Sequence, residues 1–324
     1  MKQIQKPILI LIILILFFFG KTYACLNGEI LRLKNGTILF EDREGLVPYG
    51  HIFNTDEWLR DEIKTLDNLY KIKKDLDYLS DKGLLLILLK QYDQAIKLYL
   101  EIEKMQPNRY STASNIGTAY ELMGQNENAL MWIKKSVKID PKSHENSEWI
   151  HVKILEAKIK GQQFYTTNFL LNTDFGTALL PKTTLSTSFL LDLHIALYYQ
   201  LNERISFVKP EEKIVAQLLF DLGNMAFIFG RYDNAKADFE QAKKYGFSGQ
   251  LIENRVKETE KMLEKQMKEY DKASELPKTS PKERVEVSPE KIVEKNLTPN
   301  YLLYGAITVI SLILLVAFIK RKNN

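Results

Sequence analysis

Cysteine is nearly absent from the 324 residues: only Cys25 occurs, so no internal disulfide can form and packing alone must hold the fold. Glycine is sparse (15 residues) and never clusters, which leaves no phosphate-cradling loop of the strand-to-helix kind. There is no Gly-x-Ser-x-Gly nucleophile elbow. Charge of one sign is missing too. Forty-five basic side chains meet 41 acidic ones, a net +4, and no concentrated basic face marks a nucleic-acid partner. Histidines number four, at 51, 144, 151 and 194. His144 and His151 lie two helical turns apart with Glu148 between them; solvated or capping side chains are expected there rather than a metal site. No cofactor, no metal and no catalytic constellation is therefore expected, and the chain reads as a non-enzyme.

What is present begins with two apolar ends. Lys2 and Lys6 precede Ile8–Phe19, and Thr22-Tyr23-Ala24 follows Gly20-Lys21. A basic start, a short apolar core and small residues form the layout of a secretory signal over 1–24, since a span needs about 20 apolar residues. At the other end Tyr301–Ile319 carries no charge and Lys320-Arg321-Lys322 follows at once. This predicts a transmembrane helix over 300–320, with 321–324 as a cytoplasmic tail and the body on the far side. Both ends thus place the body outside the cytoplasm, in a bacterial periplasm. Cys25, just past the predicted cleavage point, has two readings: a lipidation site, or an incidental thiol. Thr22 stands where a lipobox has Leu.

Between the ends the chain divides into a β-hairpin segment (25–55), a helical domain (56–272) and a Pro-, Lys- and Glu-rich disordered linker (273–299) too poor in large apolar side chains to fold. Asn35-Gly36 between Ile30-Leu31 and Ile38-Leu39-Phe40 predicts strands over about 29–34 and 37–41, both turn residues taking positive φ. Steps of three and four from Leu59 to Leu76 predict one helix over Asp56–Tyr78, capped by Thr55 or Asp56. Ser147–Lys160 and Phe189–Leu201 look helical. Thr166–Thr187 looks like a loop, Pro210 sits where a helix would begin, and Leu251–Tyr270 has the amphipathic pattern of a terminal helix with a polar outer face.

The strongest signal is a period. Gly83, Ala95 and Pro107 recur 34 residues on as Gly117, Ala129 and Pro141. Gly223, Ala235, Phe239 and Ala242 repeat the pattern at 216–249, where Tyr232-Asp233-Asn234-Ala235 echoes Tyr92-Asp93-Gln94-Ala95. Gly223 falls 106 residues after Gly117, four more than three periods, so an insertion or degenerate units fill the interval.

These residues resemble the tetratricopeptide repeat, over about 76–249. The resemblance implies an all-α solenoid of helical hairpins, with small residues at the close contacts of paired helices and Pro ending the second helix. The first unit departs from the pattern at Ile102, and the third lacks the closing Pro. It also implies a concave groove lined by the first helix of each unit. Carried over by position, the groove comprises Leu84, Ile87 and Leu88, then Thr118, Glu121 and Leu122, then Phe220, Asn224, Phe227 and Ile228. Asp77, Ser80, Ser111, Ser114 and Gln217 stand in the same rows. Such a surface takes proteins or peptides, here an amphipathic helix or an extended segment; alternatively its aromatics face a neighbouring helix. The function expected is that of a protein-binding scaffold of the cell envelope. A sensor acting through a membrane partner is the alternative, and an enzyme is the remote one.

Overall fold

The computed structural model describes residues 30–42 and 46–275. The expected signal segment, Cys25, most of the linker and Tyr301–Ile319 lie outside the described residues. Among the described residues no helix is long and apolar enough to cross a membrane. One compact unit runs to Met267; of the other, only 268–275 is described, as helix.

Strands β1 (Ile30–Arg32) and β2 (Ile38–Glu41) pair antiparallel. The turn differs from the expected one, because Gly36 alone takes positive φ (94°). Gly36 N–H donates to the Leu33 carbonyl at 2.8 Å, and Leu33 N–H to the Thr37 carbonyl at 2.8 Å. This is a three-residue loop ending in a left-handed glycine, which inserts a bulge. Leu31 accordingly faces Phe40 while Arg32 faces Ile38, leaving Leu39 between them. Leu31, Leu33, Leu39 and Phe40 are buried against Leu59, Leu66 and Leu84 of the helices behind. Lys34 N–H donates to Asp81 at 2.6 Å and pins the hairpin tip.

The expected single helix over Asp56–Tyr78 is two. Helix α1 (Asp56–Lys73) starts at Thr55, whose hydroxyl accepts from Trp58 N–H, and stops at Lys74, which is left-handed. Asp75 then caps α2 (Leu76–Leu88) by accepting from Asp77 N–H. The apolar steps run through the break because both helices bury one face in the same core.

Helix α2 pairs with α3 (Tyr92–Met105), and α4 (Tyr110–Leu122) pairs with α5 (Asn126–Ile139). Near the other end α10 (Lys213–Ile228) pairs with α11 (Tyr232–Lys244). The three glycines sit where the spacing puts them. A methyl at Gly83 would overlap the ring of Tyr99, one at Gly117 would lie 2.5 Å from Ile133 Cδ1, and one at Gly223 2.6 Å from Phe239 Cε1. Ala95, Ala129, Ala235 and Ala242 are fully buried. Pro107 and Pro141 stand just past the cap residues Gln106 and Asp140 that end α3 and α5. The turn inside each hairpin is the same, with Gln91, Gln125 and Arg231 N–H donating back to Leu86, Tyr120 and Ala226. It places a left-handed residue at Lys90, Gly124 and Gly230.

The interval holds α6 (Ser143–Asn146), α7 (Glu148–Lys160), a 3₁₀ turn at Gln162–Phe164, α8 (Thr167–Leu171) and α9 (Thr187–Phe207). Helix α7 packs on α5 as a further repeat would, but no full second helix follows it. The loop expected over Thr166–Thr187 thus begins with a short helix, whose cap Thr166 accepts from Phe169 N–H. Helix α10 begins three residues after Pro210, capped by Glu212, which accepts from Val215 N–H at 2.6 Å. Helix α12 (Gln250–Glu275) buries Ile252 and Arg255 and extends past the expected end, into what the sequence suggests is linker.

Candidate binding site on the inner face

Helix α9 decides what the expected groove becomes. It carries Leu190, Leu197, Leu201 and Ile205 as core residues, so it is held as firmly as the repeats themselves. Its last turns cross in front of α2 and α4, and Phe207 packs on the apolar clusters of both. The segment after the hairpin straps across it: Gly50 N–H donates to Asn202 Oδ1 at 2.9 Å and His51 N–H to Ser206 Oγ at 2.8 Å. His51 also stacks on Phe40, its centroid 3.8 Å away, and pairs with Asp42 at 2.8 Å.

The groove residues therefore do not form one open surface. Leu84 and Ile87 are 1% exposed, with Leu88, Thr118, Glu121 and Leu122 half-buried. In α10, Phe220 stacks on Phe247 at 4.2 Å, Phe227 meets Tyr232 edge-on at 5.2 Å, and Asn224 is fully buried. Only Ile228 reaches solvent. The aromatics face neighbouring helices and the expectation of a continuous groove is corrected. The physical reason is the interval at 143–212, which supplies an apolar helix that the inner face buries.

Leu84, Ile87, Asn115, Thr118, Glu121 and Leu122 instead wall a cavity of about 210 Å³ with α7 and α9 opposite. Its polar side is a network. Arg204 grips Glu121 two-pronged, Nη1 to Oε1 at 2.6 Å and Nη2 to Oε2 at 3.2 Å. Lys158 Nζ reaches the same carboxylate at 2.7 Å and His151 Nε2 at 2.6 Å. Beyond His151 the chain of partners continues to Glu148 (3.6 Å from Nδ1), to His144 Nδ1 at 2.5 Å, and from His144 Nε2 to Glu203 at 3.9 Å. Imidazoles and carboxylates alternate from α4 through α7 and α6 to α9. The histidines are thus not solvated, as the sequence suggested: His144, His151 and His194 are buried. A charge in this setting persists only with a partner.

Electrostatics follow from burial and pairing. Burial alone would raise the Glu121 carboxyl, but Arg204, Lys158 and His151 reverse this and hold it well below the usual range. Glu148 is likewise lowered, by His144 and His151 acting against burial. Burial works against the charged form of His151, yet Glu121 and Glu148 raise its pKa. Glu203 is the exception. Burial pushes it up to about 7, Glu148 adds to this, and His144 offsets it only in part.

Arg204, Lys158 and Glu203 were not singled out in the sequence. The one trace they leave is a charged pair, Glu203-Arg204, near the end of an otherwise apolar helix. Among the described residues no cluster of His, Cys, Asp and Glu is arranged to hold a metal ion.

A second, larger cleft of about 760 Å³ opens at the start of α9, beside α7 and α8. Trp149, Leu171, Leu185, Phe189 and Leu193 line it, with Lys153 and Asp192 among its polar residues. Phe189 is 70% exposed, a large apolar side chain presented to solvent.

Comparison with known proteins agrees with the glycine spacing. The family model of the tetratricopeptide repeat matches residues 76–109, 111–143 and 216–245, which are the hairpins α2–α3, α4–α5 and α10–α11. No curated protein matches the chain. The matched segments are thus two in tandem and a third beyond the interval at 143–212.

Proposed function

We propose that the protein is a non-catalytic scaffold of the cell envelope. Its repeat domain is held outside the cytoplasm by Tyr301–Ile319, where it engages other proteins. The observation that carries this is the set of three repeats, since stacked helical hairpins of this kind are surfaces for protein partners. The basic residues after Tyr301–Ile319 and the layout of 1–24 support the topology. With the inner face closed by α9, the partner surface is the cleft at Trp149, Leu171, Leu185 and Phe189. Phe189 stands in water among these apolar side chains, where a partner's side chain would cover it, and the mixed rim of Lys153 and Asp192 suits an amphipathic segment.

The test is a photo-crosslinker placed at Phe189 in cells. The expected result is one stoichiometric adduct that Trp149→Asp abolishes while the protein level stays unchanged. Absence of any adduct, or an adduct indifferent to Trp149, overturns the surface. Protease digestion of intact and permeabilised cells tests the topology: the repeat domain is cleaved from the extracytoplasmic side only.

A further inference from the structure

The loop between α8 and α9 is anchored, and yet it presents leucine to water. Its neck is tied: the Thr173 and Thr183 hydroxyls meet at 3.2 Å, and Lys182 N–H donates to the Phe175 carbonyl at 3.0 Å. Arg255 of α12, itself fully buried, donates from Nη2 to the Phe175 and Gly176 carbonyls at 3.3 and 3.0 Å. Phe175 and Pro181 are buried, and Phe175 joins the core cluster. Between them Leu179 and Leu180 are 55% and 44% exposed. Full burial of a leucine side chain is worth ~1.5–3 kcal/mol, which neither gains within one molecule. A tip held by its neck also loses little freedom when a partner covers it.

The loop ends where the cleft begins. Leu171 and Asn172 before it and Leu185 after it line the cleft, together with Trp149, Phe189 and Leu193. Tip and cleft therefore belong to one region of the surface. The charges of that region are complementary as well. Lys153 is already engaged, 3.9 Å from Glu156 and 5.0 Å from the centre of the Phe169 ring. Asp192 on the cleft rim and Lys182 beside the leucines are exposed, and neither forms an ion pair among the described residues. An apolar segment followed by a cation suits this cleft, and Leu179-Leu180-Pro181-Lys182 is such a segment. A surface that carries both a projection and its complement meets the condition for a two-fold pair, in which one residue meets a second and the second meets the first.

We propose that the occupant of the cleft is a second copy of this chain. Leu179 and Leu180 of each copy seat against Trp149, Leu185 and Phe189 of the other, with Lys182 facing Asp192, in a closed two-fold pair. This names the partner of the cleft assigned above and rests on that assignment.

The test co-expresses two full chains with different affinity tags, with a photo-crosslinker at Phe189 of one copy. The expected adduct has twice the mass of the chain, carries both tags and joins position 189 to the peptide that contains Leu179 and Leu180. Leu179→Asp together with Leu180→Asp is expected to lower its yield by about tenfold or more. The melting transition is expected to stay in place, since both side chains already stand in water. Lys182→Glu, or Asp192→Lys, sets like charges against each other and is expected to lower the yield about tenfold. The two together restore opposite charges and are expected to return it to within about twofold of the parent. An adduct to a different protein overturns the inference and leaves the cleft a partner surface. No adduct overturns the cleft itself, and the inference with it. An adduct between copies that ignores the leucine substitutions, or a double charge variant no better than either single one, also overturns it. So do masses beyond two copies when both chains carry the crosslinker.

Discussion

The tandem hairpins at 76–139 and the interval at 143–212 are both helical, yet they are held together by different means. In the hairpins a glycine on one helix meets a large side chain on the other, Gly83 with Tyr99 and Gly117 with Ile133, and nothing charged is needed at the contact. The interval contributes buried ions: His144, Glu148, His151 and Arg204 are each under one-tenth exposed and held by one another or by Glu121. A repeat contact is specified by shape and is local in sequence. The ionic contact joins helices far apart in the chain and is specified only when all of its members are in place. Removing one member of each kind of contact separates the two modes.

The largest effect is expected at Glu121→Ala. It removes the carboxylate that Arg204 and Lys158 share and leaves His151 with Glu148 alone, and breaking a buried pair from one side costs about 3–5 kcal/mol. Urea denaturation checks it, and a change under 1 kcal/mol would show the network to be solvated. Gly223→Val comes next. Its branched side chain would meet Phe239 and is expected to cost about 1–3 kcal/mol by overpacking, whereas the same change at Gly124, open on all sides, strains only the backbone.

Glu203→Gln probes the ionic region by pH. The Glu203 carboxyl is raised from the usual 4.5 to about 7, so the folded state holds a proton that the unfolded state has lost between those values. Its contribution therefore declines as pH rises from about 4.5 to 7 and stays unfavourable above. The Gln variant is expected to melt higher than the parent at pH 8 and to lose that advantage at pH 4.5; a constant offset would refute the assignment. The smallest effect, a gain, is expected in the repeats. Lys90 takes the left-handed place held by Gly124 and Gly230, and Lys90→Gly is expected to stabilise by up to ~1 kcal/mol, read from the denaturation midpoint.

Much of the repeat region was legible beforehand for a local reason. Glycine 34 residues from glycine, with alanine twelve beyond each, reflects contacts inside one hairpin, so the pattern survives in sequence. The division of 56–78 into two helices left a weaker trace. Asp75 is a good cap, but the apolar steps continue past it. The groove was misjudged because Leu84 packs on the hairpin, Ile87 packs among α3 and α4, and Phe207 of α9, more than a hundred residues further on, packs on both clusters. Buried charge was invisible for a similar reason: on paper, His144, Glu148 and Lys158 look like any solvated helix face.

By itself the sequence determined the three hairpins, the strands that precede them and the apolar stretches at both ends, because steric fit and periodicity act between near neighbours. Only the tertiary structure decided that the inner face is closed, that Glu121 is the centre of a buried ionic network and that Phe189 is left in water. Those outcomes depend on where an apolar helix of the interval finds a surface to bury, and burial is a property of the assembled fold.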